Sequence, residues 1–329
     1  MRYINKIIAK ISIILLIMSI FITGCQPSSQ GQSAKDQPSG GSKAIISASG
    51  AFAIYPLMVR WGEEYQKINP NIKIDISAGG AGKGMSDALA GMVDIGMVSR
   101  DVKPEEITKG AFDIAITKDA VFATANAKNP ALNGLLQKGI TKEALLDIYI
   151  NGKALTWGEV AGKTDIKDKL NVYTRSDACG AADVWALFLD NKKQENLGGI
   201  GVSGDPGIVE AVKKDPLGLG YNNLNYAYDA TTGKPVEGIV VLPIDFNNNG
   251  KVDDIEQLDT KEKAVKAVAS GQYPEPPARL LHLVTKGKPS GAVKDFLVWI
   301  LNDGQKYQEE VGYIPMKSEK LNEQKEKLK

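Results

Sequence analysis

IKIDISAGGAGKGMSDALAGMVDIGMVSR, residues 72–100, carries two different hydrophobic periods in one short span. Ile72, Ile74 and Ile76 alternate with polar residues, the two-residue period of a strand. Gly79–Gly84 then makes a glycine-rich turn. Met85, Leu89 and Met92 recur at helical spacing, which predicts a helix. Asp94–Val98 is a second apolar strand and runs into Ser99-Arg100-Asp101. Strand, tight turn, helix and strand in succession predict an α/β protein.

The same grammar extends on both sides. Ala44–Ala48 reads as a short strand, and Pro56 opens a helix that sets Leu57, Trp61, Tyr65 and Ile68 on one face. Asn69-Pro70-Asn71 stops it. A later unit repeats the pattern: a strand at Leu170–Thr174, the loop Arg175-Ser176-Asp177-Ala178-Cys179-Gly180, and a helix through Trp185, Phe188 and Leu189. No repeat of fixed period is visible. The charged tail Lys317–Lys329 reads as a solvated or frayed helix.

The chain start is an export signal over residues 1–24: basic Arg2, Lys6 and Lys10, an apolar run Ile11–Ile22, then Thr23-Gly24-Cys25. The run is short for a bilayer span. Cys25 after small residues resembles the cleavage box of prokaryotic lipoproteins, which implies lipidation of Cys25 and an extracytoplasmic, membrane-anchored product. Residues 25–43 are rich in Ser, Gly, Gln and Pro and read as a flexible tether.

Charge and composition exclude several function classes. Lys and Arg total 40 against 39 Asp and Glu, a net charge of +1. A nucleic-acid partner needs a basic excess that this chain lacks. The two cysteines include Cys25, so Cys179 has no intrachain partner and no disulfide framework exists. The single histidine, His282, sits in the apolar run Leu280–Val284 and reads as a packed strand residue. One histidine and one free cysteine do not make a zinc centre.

Three short loops carry the chemistry: Ser49-Gly50-Ala51-Phe52-Ala53, Gly80-Ala81-Gly82-Lys83-Gly84 and Arg175–Ala181. Each joins a strand to a helix. The first turn of a helix has unpaired N–H groups and the positive dipole end, and glycine lets the backbone approach a ligand closely. An anion is the natural occupant. Arg175 adds a charge that can grip two oxygens at once. The second loop is no nucleotide motif: no Ser or Thr follows Lys83, and its glycines miss the dinucleotide spacing.

These loops, in order, resemble those of the phosphate-binding components of ABC importers. Ser49–Pro56 is similar to that family's first loop, Gly80–Gly84 to its second, and Val93–Arg100 to the segment after it. Arg175-Ser176-Asp177-Ala178-Cys179-Gly180-Ala181 resembles its signature Arg-Ser-Asp-Gly-Ser-Gly-Thr. Thr285–Gly291 and Gly312-Tyr313-Ile314-Pro315 match its C-terminal pattern.

The resemblance implies a type II periplasmic-binding-protein fold, with two α/β lobes on a two-strand hinge. Lobe 1 would hold residues 44–122 and 280–329 and lobe 2 residues 123–279, with crossings near Ala120–Asn126 and Leu280–Thr285. It further implies a monomer that captures phosphate in the cleft and passes it to an ABC permease. The implied anion contacts are Gly50, Ala51, Phe52, Ala81, Gly82, Ser99, Arg100, Arg175, Cys179, Gly180 and Ala181. Ala51, Ala81, Cys179 and Ala181 stand where the family carries hydroxyls, which leaves backbone N–H groups, Ser99, Arg100 and Arg175 as donors. Sulfate, arsenate, molybdate or a small organophosphate is the alternative ligand, and a non-transporting sensing or adhesion lipoprotein the alternative role. An enzyme such as a surface phosphatase would need a nucleophile with a base, or a metal cluster; Cys179 has no histidine beside it in sequence.

Residues 245–256 form a separate motif. Asp245, Asn247, Asn249, Asp253 and Glu256 supply side-chain oxygens at calcium-loop spacing, Lys251 falls at the carbonyl position, and Gly250 at the sharp turn. This predicts a structural calcium rather than a cofactor for activity. The apolar Gly238–Pro243 stretch before it reads as a strand, so a full helix–loop–helix hand is not expected.

Overall fold

The computed structural model of the chain describes residues 44–153 and 155–329. The export segment, Cys25 and the tether therefore lie outside the described residues. The chain enters through β1 (Ala44–Gly50), α1 (Tyr55–Ile68), β2 (Ile72–Ala78), α2 (Ala81–Ala90), β3 (Ile95–Val98) and α3 (Pro104–Thr108), then crosses on β4 (Ala111–Asn126). Its middle is α4 (Leu132–Lys138), β5 (Ile140–Thr141), α5 (Lys142–Tyr149), α6 (Trp157–Ala161), β6 (Asn171–Arg175) and α7 (Gly180–Asp190), followed by β7 (Ile200–Val202), α8 (Gly204–Lys214), β8 (Gly218–Asn223) and α9 (Leu224–Ala227). After β9 (Ile239–Val241), β10 (Ile244–Asp245) and α10 (Lys261–Ala269), β11 (Ala278–Lys286) leads back to α11 (Gly291–Leu301), α12 (Tyr307–Val311) and α13 (Ser318–Lys327).

One sheet runs through the molecule in the order β2-β1-β3-β11-β4-β8-β6-β7, with β9 also on β4. β1 is parallel to β2 and β3, and β6 is parallel to β7 and β8, as βαβ crossovers require. The long β4 belongs to both halves. Its residues Ala111–Ala120 pair with β11, and Val121–Asn126 pair with β8 and β9.

The apolar clusters change at the same place. Ile114 and Ile116 join a core with Trp61, Phe296 and Trp299, whereas Val121 packs with Trp157, Trp185 and Tyr221. On the return strand Ala278 packs with Phe122 and Tyr273, and Leu281 with the first core. The clusters change near residue 120 and over 278–281. A strand can serve both lobes because its two ends carry separate ladders.

Local chemistry explains most boundaries. Pro56 occupies the first turn of α1, where its missing N–H costs nothing. Gly91 ends α2 in the left-handed conformation, with φ of 71°. Met92 therefore lies past the helix on which its spacing placed it, and is 73% exposed. Ile68 is also exposed, because it is the last residue of α1 and the chain turns away at Asn69. Leu57, Trp61 and Tyr65 pack as expected.

The tail departs from the sequence reading as well. α13 is docked rather than frayed: Gln324 is buried and accepts from the Ala115 N–H at 3.1 Å, Lys327 Nζ donates to the Asp113 carbonyl at 2.9 Å, and Leu328 is buried. Among the described residues no helix is long and apolar enough to cross a membrane.

Candidate functional site

Every β–α turn singled out in the sequence lies at the boundary between the two halves. Gly50 has a φ of +133° and packs its α-carbon against the Met97 carbonyl and Gly84; its carbonyl accepts from the N–H groups of Gly79 and Gly80. The first two loops are thereby locked together.

The second loop touches the Arg175 loop directly. The Gly82 N–H donates to the Ala178 carbonyl at 2.9 Å, and a methyl group on Gly82 would come within 2.6 Å of the Ala178 β-carbon. A methyl on Gly180 would run into the carbonyl and hydroxyl of Ser99. Phe52 lies under the Arg175 guanidinium, 5.3 Å from ring centre to Cζ, and its carbonyl accepts from the Tyr226 hydroxyl at 3.3 Å. Gly50, Ala51, Phe52, Ala81, Gly82, Ser99, Arg175, Cys179, Gly180 and Ala181 thus belong to one continuous zone of contact.

Within it, the N–H groups of Phe52, Ala53, Ala81, Gly180 and Ala181 meet no acceptor among the described residues. Ala81 and Gly180 are the first residues of α2 and α7, where the helix supplies none. Buried donors of this kind are costly unless something satisfies them. An anion is a ligand that could satisfy such donors.

Arg175 is 5% exposed and already paired on two sides. Nε and Nη2 donate to Asp177 at 2.8 and 2.5 Å, and Nη1 donates to Asp205 at 2.7 Å. Those contacts use three of a guanidinium's five N–H bonds and leave one on each terminal nitrogen. Burial would weaken the Arg175 charge, but Asp205 and Asp177 outweigh it and hold the group more firmly protonated than usual. The reverse balance acts on Asp177: burial raises its pKa, and the Arg175 contacts bring it below the ordinary carboxylate value.

Arg100 behaves differently from its sequence expectation as an anion donor. Its guanidinium is bidentate on Glu106, at 2.9 and 2.7 Å, donates to the Asp101 carbonyl, and reaches Asp183 on α7 at 3.2 Å. With a carboxylate holding its fork, it ties β3 to α7 across the boundary. It also lines a cavity of about 580 Å3 whose walls include Asp183, Leu187, Glu275 and Arg279, and to which none of the three anion loops contributes.

Cys179 caps α7: its Sγ accepts from the Ala182 N–H at 3.4 Å. Burial pushes the thiol up to about 12, with Arg175 offsetting only part of the effect. Burial and a raised pKa both keep it in the thiol form, which is the poor nucleophile of the pair. His282 packs on β11 with Nδ1 3.2 Å from Asp113 Oδ2.

Sequence reading missed the residues that hold the site from behind. Gln194 clamps the signature loop, accepting from the Cys179 N–H at 2.9 Å and donating to the Asp177 carbonyl at 2.6 Å. Asp205, Asn223 and Arg279 are buried beneath it. The Gly204-Asp205-Pro206 helix start was the one local signal, since an acidic residue in a first turn is a common capping choice.

The loop at 245–256 is closed by its own hydrogen bonds. Asp245 accepts from the N–H groups of Asn249 and Gly250, Glu256 from those of Phe246 and Asp253, and Asp253 from the amides of Asn247 and Asn249. Lys251 Nζ lies 3.1 Å from Asp253. Among the described residues no group of three or more His, Cys, Asp or Glu side chains is placed to hold a metal ion.

Two α/β halves sharing a pair of strands, with small-residue turns from both meeting over a buried guanidinium, define a hinged solute-binding protein of the type II periplasmic class. The chain belongs to the PBP superfamily domain family, whose model matches residues 30–304. It is 28% identical to the phosphate-binding protein PstS of Methanocaldococcus jannaschii over 92% of this chain and 90% of that one. The PstS protein of Bacillus subtilis is also 28% identical, over 95% and 96%. Among solved structures, a candidate phosphate ABC transporter substrate-binding protein with bound phosphate from Clostridium perfringens superposes with a TM-score of 0.67 at 24% identity, covering 83% of this chain and all of that one. An ABC-type phosphate transport receptor from Vibrio cholerae gives 0.59 at 17% identity, over 82% of this chain and 100% of its own. At those identities the structures speak to the fold.

Proposed function

We propose that this chain captures inorganic phosphate between its two lobes, outside the cytoplasmic membrane, and delivers it to an ABC importer. The observation that carries the reading is that three turns with N–H groups lacking a protein acceptor pack against one another beside a buried, twice-paired Arg175. Relatives named phosphate-binding protein over nearly their whole length support phosphate as the anion. Contacts from both lobes favour the closed form, so the ligand shifts a hinge equilibrium that a permease can read as shape. The chain acts by binding and not by catalysis; the buried Cys179 thiol, a poor nucleophile, supports this. Lipid on Cys25 and a monomeric state complete the proposal.

Calorimetric titration of phosphate, sulfate, arsenate, molybdate and a small phosphate monoester into anion-stripped protein tests the reading. One-to-one binding with phosphate preferred is the expected result. No heat with phosphate, or stronger binding of sulfate, sinks it.

A calcium ion at residues 245–256 is a separate proposal. The donor set suits a hard cation: Asp245 and Glu256 are buried, Asn247, Asn249 and Asp253 add side-chain oxygens, and Gly250 makes the turn at φ of +79°. Such an ion would brace the β10 region without touching the anion turns. A fall in melting temperature on chelation, reversed by calcium and not by magnesium, is expected; unchanged melting contradicts it.

A further inference from the structure

We propose that Arg279, Asn223 and Asp205 form a buried positioning relay that joins Ser99 on one lobe to Arg175 on the other, so that the two anion-site residues come into register together when the lobes meet. The observation is a chain of side chains running from one half of the site, through the hinge, to the other half.

Strand register starts it. On the two hinge strands Arg279 of β11 stands directly opposite Asp119 of β4. Arg279 is 4% exposed. Its Nε donates to the Ser99 carbonyl at 3.2 Å, and its Nη2 donates to Asn223 Oδ1. The same Nη2 lies 3.2 Å from Asp119 Oδ2, but off the line of a hydrogen bond, so the contact there is purely ionic.

Asn223 closes β8 and passes the connection on. Its N–H and Nδ2 both donate to Asp205, at 2.9 and 2.7 Å, and Asp205 accepts from Arg175 Nη1 at 2.7 Å. Among the described residues no other side-chain path links Ser99 to Arg175 by hydrogen bonds. The Asn223 amide is oriented by the chain it sits in: oxygen toward Arg279, nitrogen toward Asp205. Asp205 in turn fixes which Arg175 N–H bonds remain for an anion.

A planar guanidinium has a rigid fork, so movement of Ser99 away from Arg279 is felt as a rotation at Asn223 rather than absorbed by a flexible stem. Every member is nearly out of water, so each broken link leaves a buried polar group unpaired. The relay therefore favours two arrangements, all made or all broken. These three residues are positioning residues; none is assigned a contact with the anion.

The test uses the full chain. Phosphate affinity is measured for the wild type, Asn223→Ala, Asp205→Asn and the double variant, with melting temperatures alongside. Because both substitutions break one path, each should weaken phosphate about tenfold and the double should be no weaker than the worse single. Independent losses that multiply to about a hundredfold, or singles with wild-type affinity, overturn the relay.

A second arm reads the lobes directly. Arg279→Gln should shrink the fall in radius of gyration that saturating phosphate produces in small-angle scattering, and Arg279→Lys should not restore it. A fall equal to the wild type's contradicts the proposal. Both arms rest on the phosphate reading: a wild type that takes up no phosphate counts against that reading, whereas variants that bind and close like a phosphate-binding wild type count against the relay alone.

Discussion

At the scale of the residue, the turns beside Arg175 present backbone N–H groups. Ala81 is fully buried at the first position of α2, where the helix offers its N–H no acceptor. A hydrogen bond to a charged group contributes about 1.5–3 kcal/mol. Ala81→Ser is therefore expected to tighten phosphate binding about tenfold by calorimetry, and unchanged binding would place this turn away from the anion. Asp119 gives a second expectation. Burial pushes its carboxyl from 3.8 up to about 6, with Arg279 opposing only in part. A raised carboxyl favours its neutral form in the fold, so its contribution to stability is full below about pH 4 and is lost as pH climbs through about 6. A two-unit shift corresponds to roughly 3 kcal/mol. Asp119→Asn should thus gain on the wild type in unfolding free energy between pH 4 and 7, and a pH-independent difference would contradict the assignment. Residues such as Ala81, Gly82 and Arg175 were legible in sequence because turn chemistry is local. Asp205, Asn223 and Arg279 were not: no spacing rule joins positions that only the topology brings together, and each reads in isolation as an ordinary surface polar residue.

At the scale of the element, the helix starts of α2 and α7 do the work. Sequence periodicity located both, since glycine and small residues mark where a strand must hand over to a helix with exposed N–H groups. It misjudged the ends, because a left-handed Gly91 stops α2 before Met92, and because contacts of Gln324 and Lys327 with β4 hold α13 in place despite its charged composition. The close approach of Gly180 to Ser99 makes a clean probe. Gly180 is helical, so alanine fits its backbone, yet the added methyl meets a carbonyl of the opposite lobe. Overpacking costs about 1–3 kcal/mol and here falls on the closed form alone. Gly180→Ala should weaken phosphate between about tenfold and a hundredfold by calorimetry while leaving the melting temperature of the ligand-free protein nearly unchanged. Equal losses of stability and affinity would mean that the glycine serves packing within α7 instead.

At the scale of the whole molecule, one sheet that passes through both lobes on β4 and β11 makes a hinge whose two strands are hydrogen-bonded to each other as well as to both halves. The α/β class and the two-lobe plan could be read from alternating periods and from the ordered loops. The crossing points are hard to read from sequence, because an uninterrupted strand carries no punctuation where its partner changes. On the proposed reading capture and closure are the same event: turns from each lobe would complete the anion's surroundings only when they touch. Small-angle scattering of anion-stripped protein during a phosphate titration measures that directly. The radius of gyration should fall and level off at one equivalent of phosphate; dimensions that stay constant while calorimetry records binding would contradict capture between the lobes.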